Sequence, residues 1–142
     1  MTTSSPPTGA AVRRLSTVDR FLAAITSGDG VPADLFSADA HLDATVPGWR
    51  FAVRGGAALA GQYSGWFAHP AVFEELERLP VDGGEVLTYL LTWSERGVPH
   101  AAHHCHVLRL DTSGCIAGDR FFCGGRWDAG LLARMAEAGD GG

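Results

Sequence analysis

Apolar and polar positions follow a helical period in the first half of the chain and a period of two in much of the second. From Ser16 onward Val18, Phe21, Leu22 and Ile25 recur on one helical face, after a Ser16/Asp19 pair spaced as a capping box, and the run stops at Gly28-Asp29-Gly30. A short helix from Pro32 to about Phe36 leads into residues 40–46, where Leu42, Ala44 and Val46 alternate with His41, Asp43 and Thr45 as in a half-wet strand. Pro47-Gly48 turns the chain into a short strand at 51–54, and residues 57–67 place Leu59, Tyr63, Trp66 and Phe67 on one helical face. Longer strands are predicted near 72–80, 86–95, 100–110 and 115–123, separated by hairpin signals at Asp82-Gly83-Gly84, Glu95-Arg96-Gly97 and Asp111 to Gly114. A last helix is capped by Asp128 and carries Leu131, Leu132 and Met135. Helices followed by a meander predict an α+β domain, a curved antiparallel sheet wrapped on N-terminal helices around one internal pocket.

Alternation assigns the faces. Leu87, Tyr89, Leu91 and Trp93 share the larger, more aromatic side of their strand, which is expected to face the pocket. In the next strand Leu108 and Leu110 mark the inward side, so Ala102, His104 and His106 point inward, while His103, Cys105, Val107 and Arg109 point out. With Asp111 to Gly114 as the turn, Leu110 faces Cys115, and antiparallel counting sets His106 opposite Asp119, His104 opposite Phe121 and Ala102 opposite Cys123. A carboxylate beside an imidazole fixes its tautomer and raises its pKa, which suits a general base; the plain alternative is a structural ion pair.

Composition narrows the function. The net charge is −5, all eleven basic residues are scattered arginines, and no basic patch for nucleic acid emerges. No apolar run is long enough to span a membrane, and residues 1–7 lack the layout of a signal peptide, so a cytoplasmic protein is expected, its three cysteines (Cys105, Cys115, Cys123) free thiols. Residues 1–14, rich in Ser, Thr, Pro and Gly, read as a disordered tail before a domain at 15–138, with 139–142 as a second tail.

The order of elements, with LFSADAHLDATVPGW (35–49) before the third helix and HVLRLDTSGCI followed by DRFF (106–122) as a closing hairpin, resembles the nuclear transport factor 2-like superfamily. That superfamily has a cone fold and includes ketosteroid isomerases, limonene-epoxide hydrolases and SnoaL-like polyketide cyclases, and the resemblance covers about residues 16–137. It implies that His106 stands where a ketosteroid isomerase has its oxyanion-hole aspartate, with Phe21 at the helix-one tyrosine and Ala44 or Val46 near the general base. Arg120 is the candidate arginine of an epoxide hydrolase, but points away from Asp119. SnoaL-like cyclases pair a strand histidine with a late-strand aspartate; His106 matches the first, and Phe121 stands at the second, two positions beyond Asp119.

The resulting expectation is a metal-independent acid/base enzyme, a cyclase or isomerase acting on a small apolar, polyketide-like molecule. His106 is its acid/base and Asp119 its orienter; Trp49, Tyr63, Trp66, Tyr89, Trp93, His104 and Phe121 line the substrate pocket. The alternative is a ligand-binding or dimerisation module without turnover, in which the His106 ring is sealed off from the pocket. His104, His106 and Asp119 have the composition of a two-histidine, one-carboxylate metal set, but the superfamily's sites are mostly metal-free, and no metal or cofactor is expected. Leu90, Cys105, Val107 and Phe122 make the outer sheet face apolar, which predicts a homodimer.

Overall fold

The computed structural model describes residues 9–140, with side chains over 17–139. The chain runs α1 (Gly9–Ser27), a single 3₁₀ turn (Ala33–Leu35), β1 (Phe36–Val46), β2 (Trp49–Arg54), α2 (Gly56–Trp66), β3 (Ala71–Val81), β4 (Gly84–Glu95), β5 (Val98–Leu110), β6 (Ile116–Asp128) and α3 (Ala129–Asp140). The expected α+β architecture is present, as one curved, unclosed six-stranded sheet in the order β2-β1-β6-β5-β4-β3. Every neighbouring pair is antiparallel except β1 and β6, the second and third strands of the sheet, which run parallel where a wholly antiparallel sheet was expected.

Several element boundaries differ from the sequence reading: the helix expected from Pro32 shrinks to the turn at Ala33–Leu35, β1 begins at Phe36 instead of residue 40, and β6 runs on to Asp128, past the expected end at 123. α1 starts at Gly9, so Ser16 and Asp19 fall within the helix and not at its first turn; residues 1–8 of the expected tail lie outside the described residues. Residues 9–14 carry no apolar stripe, the signal that placed the expected helix start, but their Ala and Arg residues are good helix formers and extend it. At the other end α3 continues through Gly139 to Asp140, and Gly141 and Gly142 are outside the described residues.

One sheet face packs on α1 and α2. Val18, Phe21 and Ile25 of α1 and Leu59 and Tyr63 of α2 meet Leu42, Ala44, Leu87, Leu108 and Phe121 from the strands, all buried. Tyr63 stacks at 5.5 Å on Phe36 and at 6.2 Å on Phe67, holding α2 against the start of β1. Gly84 is required where β4 crosses β5, because a Cβ there would lie 1.8 Å from the Leu108 carbonyl oxygen.

The β5–β6 hairpin departs from the expected register. Leu110 pairs with Ile116 instead of Cys115, and a bulge at Ala117 then sets Arg109 against Gly118. Asp111 builds the longer turn: its Oδ1 accepts from the Ser113 and Cys115 N–H groups, and its own N–H donates to the Cys115 carbonyl. The wider turn and the bulge each shift the partner by one, so His106 faces Phe121, His104 faces Cys123 and Leu108 faces Asp119. A second bulge at Gly124-Gly125 brings Arg126 opposite Ala102, where Gly125 takes a φ of 116°.

Candidate active site

His106 and Asp119 are not directly opposite, yet they meet. A shift of two preserves the side-chain face, so Asp119 sits diagonally from His106 on the inner side of the sheet, within reach of it. The His106 Nδ1 lies 2.7 Å from Asp119 Oδ2, with both side chains fully buried. The same carboxylate oxygen accepts the Tyr63 hydroxyl at 2.5 Å. Burial, then the charge of Asp119, pushes the Tyr63 phenol well above its ordinary pKa, so it is the donor in that bond. Among the described residues Asp119 Oδ1 is the one buried side-chain nitrogen or oxygen without a partner.

The polar chain continues outward. The His106 Nε2 lies 2.7 Å from the Tyr89 hydroxyl, which is itself 3.1 Å from His104 Nδ1. Tyr89 reaches both rings because β4 pairs it with His104, one inward position along β5 from His106. Its own phenol is pushed well above the ordinary value, by burial first and by Asp119 second. His104 is 8% exposed, and its Nε2 has neither a hydrogen bond nor a place among the buried unpartnered atoms, so this nitrogen is open to solvent. Burial, reinforced by His106 and His103, lowers the His104 pKa to about 3, which makes it a neutral imidazole at physiological pH.

This arrangement corrects the expectation for His106. The ring is 0% exposed, hemmed in by Phe21, Tyr89 and Phe121 at 4.8–5.5 Å between centroids, and both its nitrogens are engaged. No substrate can touch it in this conformation. The histidine that opens on the cavity is His104.

That cavity has a volume of about 340 Å³, at the lower end of the range usual for small-molecule sites. Trp66, Trp93, His104 and Phe121 line it as expected, with Trp66 stacked on Phe121 at 4.8 Å. Trp49 does not: it follows the Pro47-Gly48 turn and is 67% exposed. Tyr63 and Tyr89 also fail to reach it, being sealed in the layer beneath. Phe67, Leu91, Ala102 and Cys123 complete the apolar wall, and His69 and Arg126, both missed in the sequence, supply the remaining polarity.

Arg126 lies 5.4 Å above the Trp93 ring and pairs with Glu95, which also accepts the Trp93 indole N–H at 3.0 Å. His69 and His100 approach that same carboxylate at 3.5 and 3.4 Å. The signal for Arg126 was the Gly124-Gly125 pair, a bulge signature in what sequence reading took as the strand's end. Among the described residues no three His, Cys, Asp or Glu side chains converge as a metal-binding group, because Tyr89 stands between the two imidazoles and Asp119 lies beyond them.

Comparison with known proteins places the fold. No family model and no curated protein matches the sequence. Solved structures do match: a candidate isomerase from Bacillus subtilis is 15% identical, with a TM-score of 0.65 over 82% of this chain and 89% of that one. SalBIII, an epoxide hydrolase/cyclase-like enzyme in pyran ring formation in the polyether salinomycin, is 15% identical, with a TM-score of 0.61 over 80% and 92%. An NTF2-like protein of unknown function from Cytophaga hutchinsonii gives 15% and 0.54 over 76% and 96%. The chain has the nuclear transport factor 2-like cone fold. Solved structures that share it include proteins named as isomerases and a cyclase-like enzyme.

Proposed function

We propose that this protein is an acid/base enzyme of the isomerase or cyclase type, moving a proton beside the carbonyl of a small apolar, polyketide-like molecule, with His104 as the group that meets it. The observation that carries this reading is the His104 ring, whose Nε2 opens on an apolar, ligand-sized cavity while its Nδ1 is tied to a buried polar chain. A ring anchored at one nitrogen and free at the other is the arrangement that general acid/base catalysis needs. Trp66, Trp93 and Phe121 suit a flat or polycyclic substrate and lower the dielectric around it.

The test is solvent-deuterium exchange at carbons next to the carbonyl, followed by NMR over a panel of aromatic and bicyclic ketones. The expected result is accelerated exchange with at least one of them, lost by roughly 10²–10⁴-fold in His104→Gln. The complete sealing of His106 favours a second reading, a binding module without turnover. Ketones that quench Trp66 or Trp93 fluorescence without any exchange would establish that reading and end the first.

A further inference from the structure

A neutral imidazole as desolvated as His104 is a weak base, and among the described residues no carboxylate lines the cavity to hold the positive charge it acquires. The hydrogen-bond chain behind it supplies the missing part. We propose that His104, Tyr89 and His106 form a proton wire in which a proton taken from substrate at His104 appears as positive charge on His106, beside Asp119. This deepens the reading above and rests on it for the identity of the proton donor.

The direction of every bond follows from its buried end. Asp119 only accepts, so His106 donates Nδ1–H to it and presents a lone pair at Nε2. Tyr89 must then donate its O–H to that Nε2 and accept from His104 Nδ1–H. His104 is left with a lone pair on Nε2, at the cavity.

In the forward step the substrate C–H bond breaks, leaving its electron pair on an enolate, and the proton bonds to His104 Nε2. The His104 Nδ1 proton passes to the Tyr89 oxygen, and the Tyr89 proton passes to His106 Nε2. His104 and Tyr89 end neutral, His106 ends as an imidazolium against the carboxylate, and the enolate carries the balancing charge. His104 now shows an N–H to the cavity, so the same nitrogen can return a proton at another carbon while the wire runs backward. Base and acid are one atom, and no ring has to turn.

The groups facing the wire are few. Tyr63 approaches from α2 and Asp119 and Cys123 from β6, with Arg126 and His69 at the cavity; His103 and Cys105 lie on the outer face of β5. Asp119 is the carboxylate in contact with the wire.

The experiment is two-bond ¹H–¹⁵N spectroscopy of the full chain labelled with ¹⁵N-histidine, titrated from mildly alkaline pH downward. The expected result is that both rings start as Nδ1–H tautomers, and that one protonation step gives imidazolium shifts at His106 and an Nε2–H tautomer at His104 with the same midpoint. His104 keeping Nδ1–H while His106 titrates, or starting as Nε2–H, would overturn the wire. In Tyr89→Phe the two events should separate, and kcat in the exchange assay should fall on the order of 10²-fold with KM little changed. A variant that does not fold leaves the wild-type tautomers to decide. Tautomer switching without any ketone exchange would defeat the enzyme reading and keep the wire; exchange that needs His104, with full activity in Tyr89→Phe, would do the reverse.

Discussion

Replacing His104 with glutamine should make the domain more resistant to acid. In the unfolded chain the ring titrates near 6.5, whereas in the fold burial and the neighbouring His106 hold it to about 3. Between those values the unfolded state binds the extra proton, so this group subtracts stability as pH falls from about 6.5 toward 3. The integrated effect is about 0.2 kcal/mol at about pH 7 and ~2 kcal/mol by about pH 5, against a total of about 5–15 kcal/mol for a typical domain. The difference between the two proteins reads the ring together with its coupling to His106.

Urea unfolding of wild type and His104→Gln at both pH values measures it. Glutamine keeps a neutral polar side chain that does not titrate, and any loss of its contact with Tyr89 is a pH-independent offset that the comparison of two pH values removes. The stability difference should move by ~2 kcal/mol in favour of the variant as pH drops from about 7 to about 5. A difference that stays flat would mean that the ring is hydrated in the fold, and the desolvation argument would be refuted.

Asp119→Asn keeps a carbonyl for Tyr63 and His106 but buries an NH₂ where Oδ1 has no partner, so it should cost about 1–3 kcal/mol by thermal melting and lower turnover as well. Gly84→Ala drives a Cβ into the Leu108 carbonyl and should destabilise by ~3 kcal/mol or prevent folding, whereas Gly61→Ala, with open space around it on α2, should stabilise by about 0.5–1 kcal/mol in the same melts. We propose a homodimer through the outer sheet face, where Phe122 is 41% exposed beside half-buried Cys105, Val107 and Leu90. Sedimentation should give a dimer that Phe122→Glu dissociates, and a monomeric wild type at micromolar concentration would refute it.

The inner faces of β4 and β5 were legible because alternation is a parity, and parity survives errors of two. The count that set His106 opposite Asp119 omitted the extra residue of the Asp111 turn and the Ala117 bulge, yet both side chains stayed on the face assigned to them. Depth was not legible in the same way. Which of two inward histidines meets the cavity depends on how far α1, with Phe21, and α2, with Tyr63, cover the strand, and on Tyr89 of β4 rising between the rings. Those are contacts between elements far apart in sequence. Trp49 was assigned to the pocket on its aromatic character alone, while the turn before it carries it to the surface.

The Ala117 bulge has a consequence for how this hairpin can change. Loss of Ala117 alone would remove the extra residue and let Ile116 and Gly118 follow one another against Leu110 and Arg109, so every later pairing and both faces of β6 would be kept. Residues 118–123 have no such slack, because they pair one to one with β5. Loss of Arg120 from that stretch would make Asp119 and Phe121 consecutive and put the carboxylate and the aromatic ring on opposite faces. Homologous chains should therefore gain or lose a single residue at the bulge while holding the stretch that follows it at fixed length.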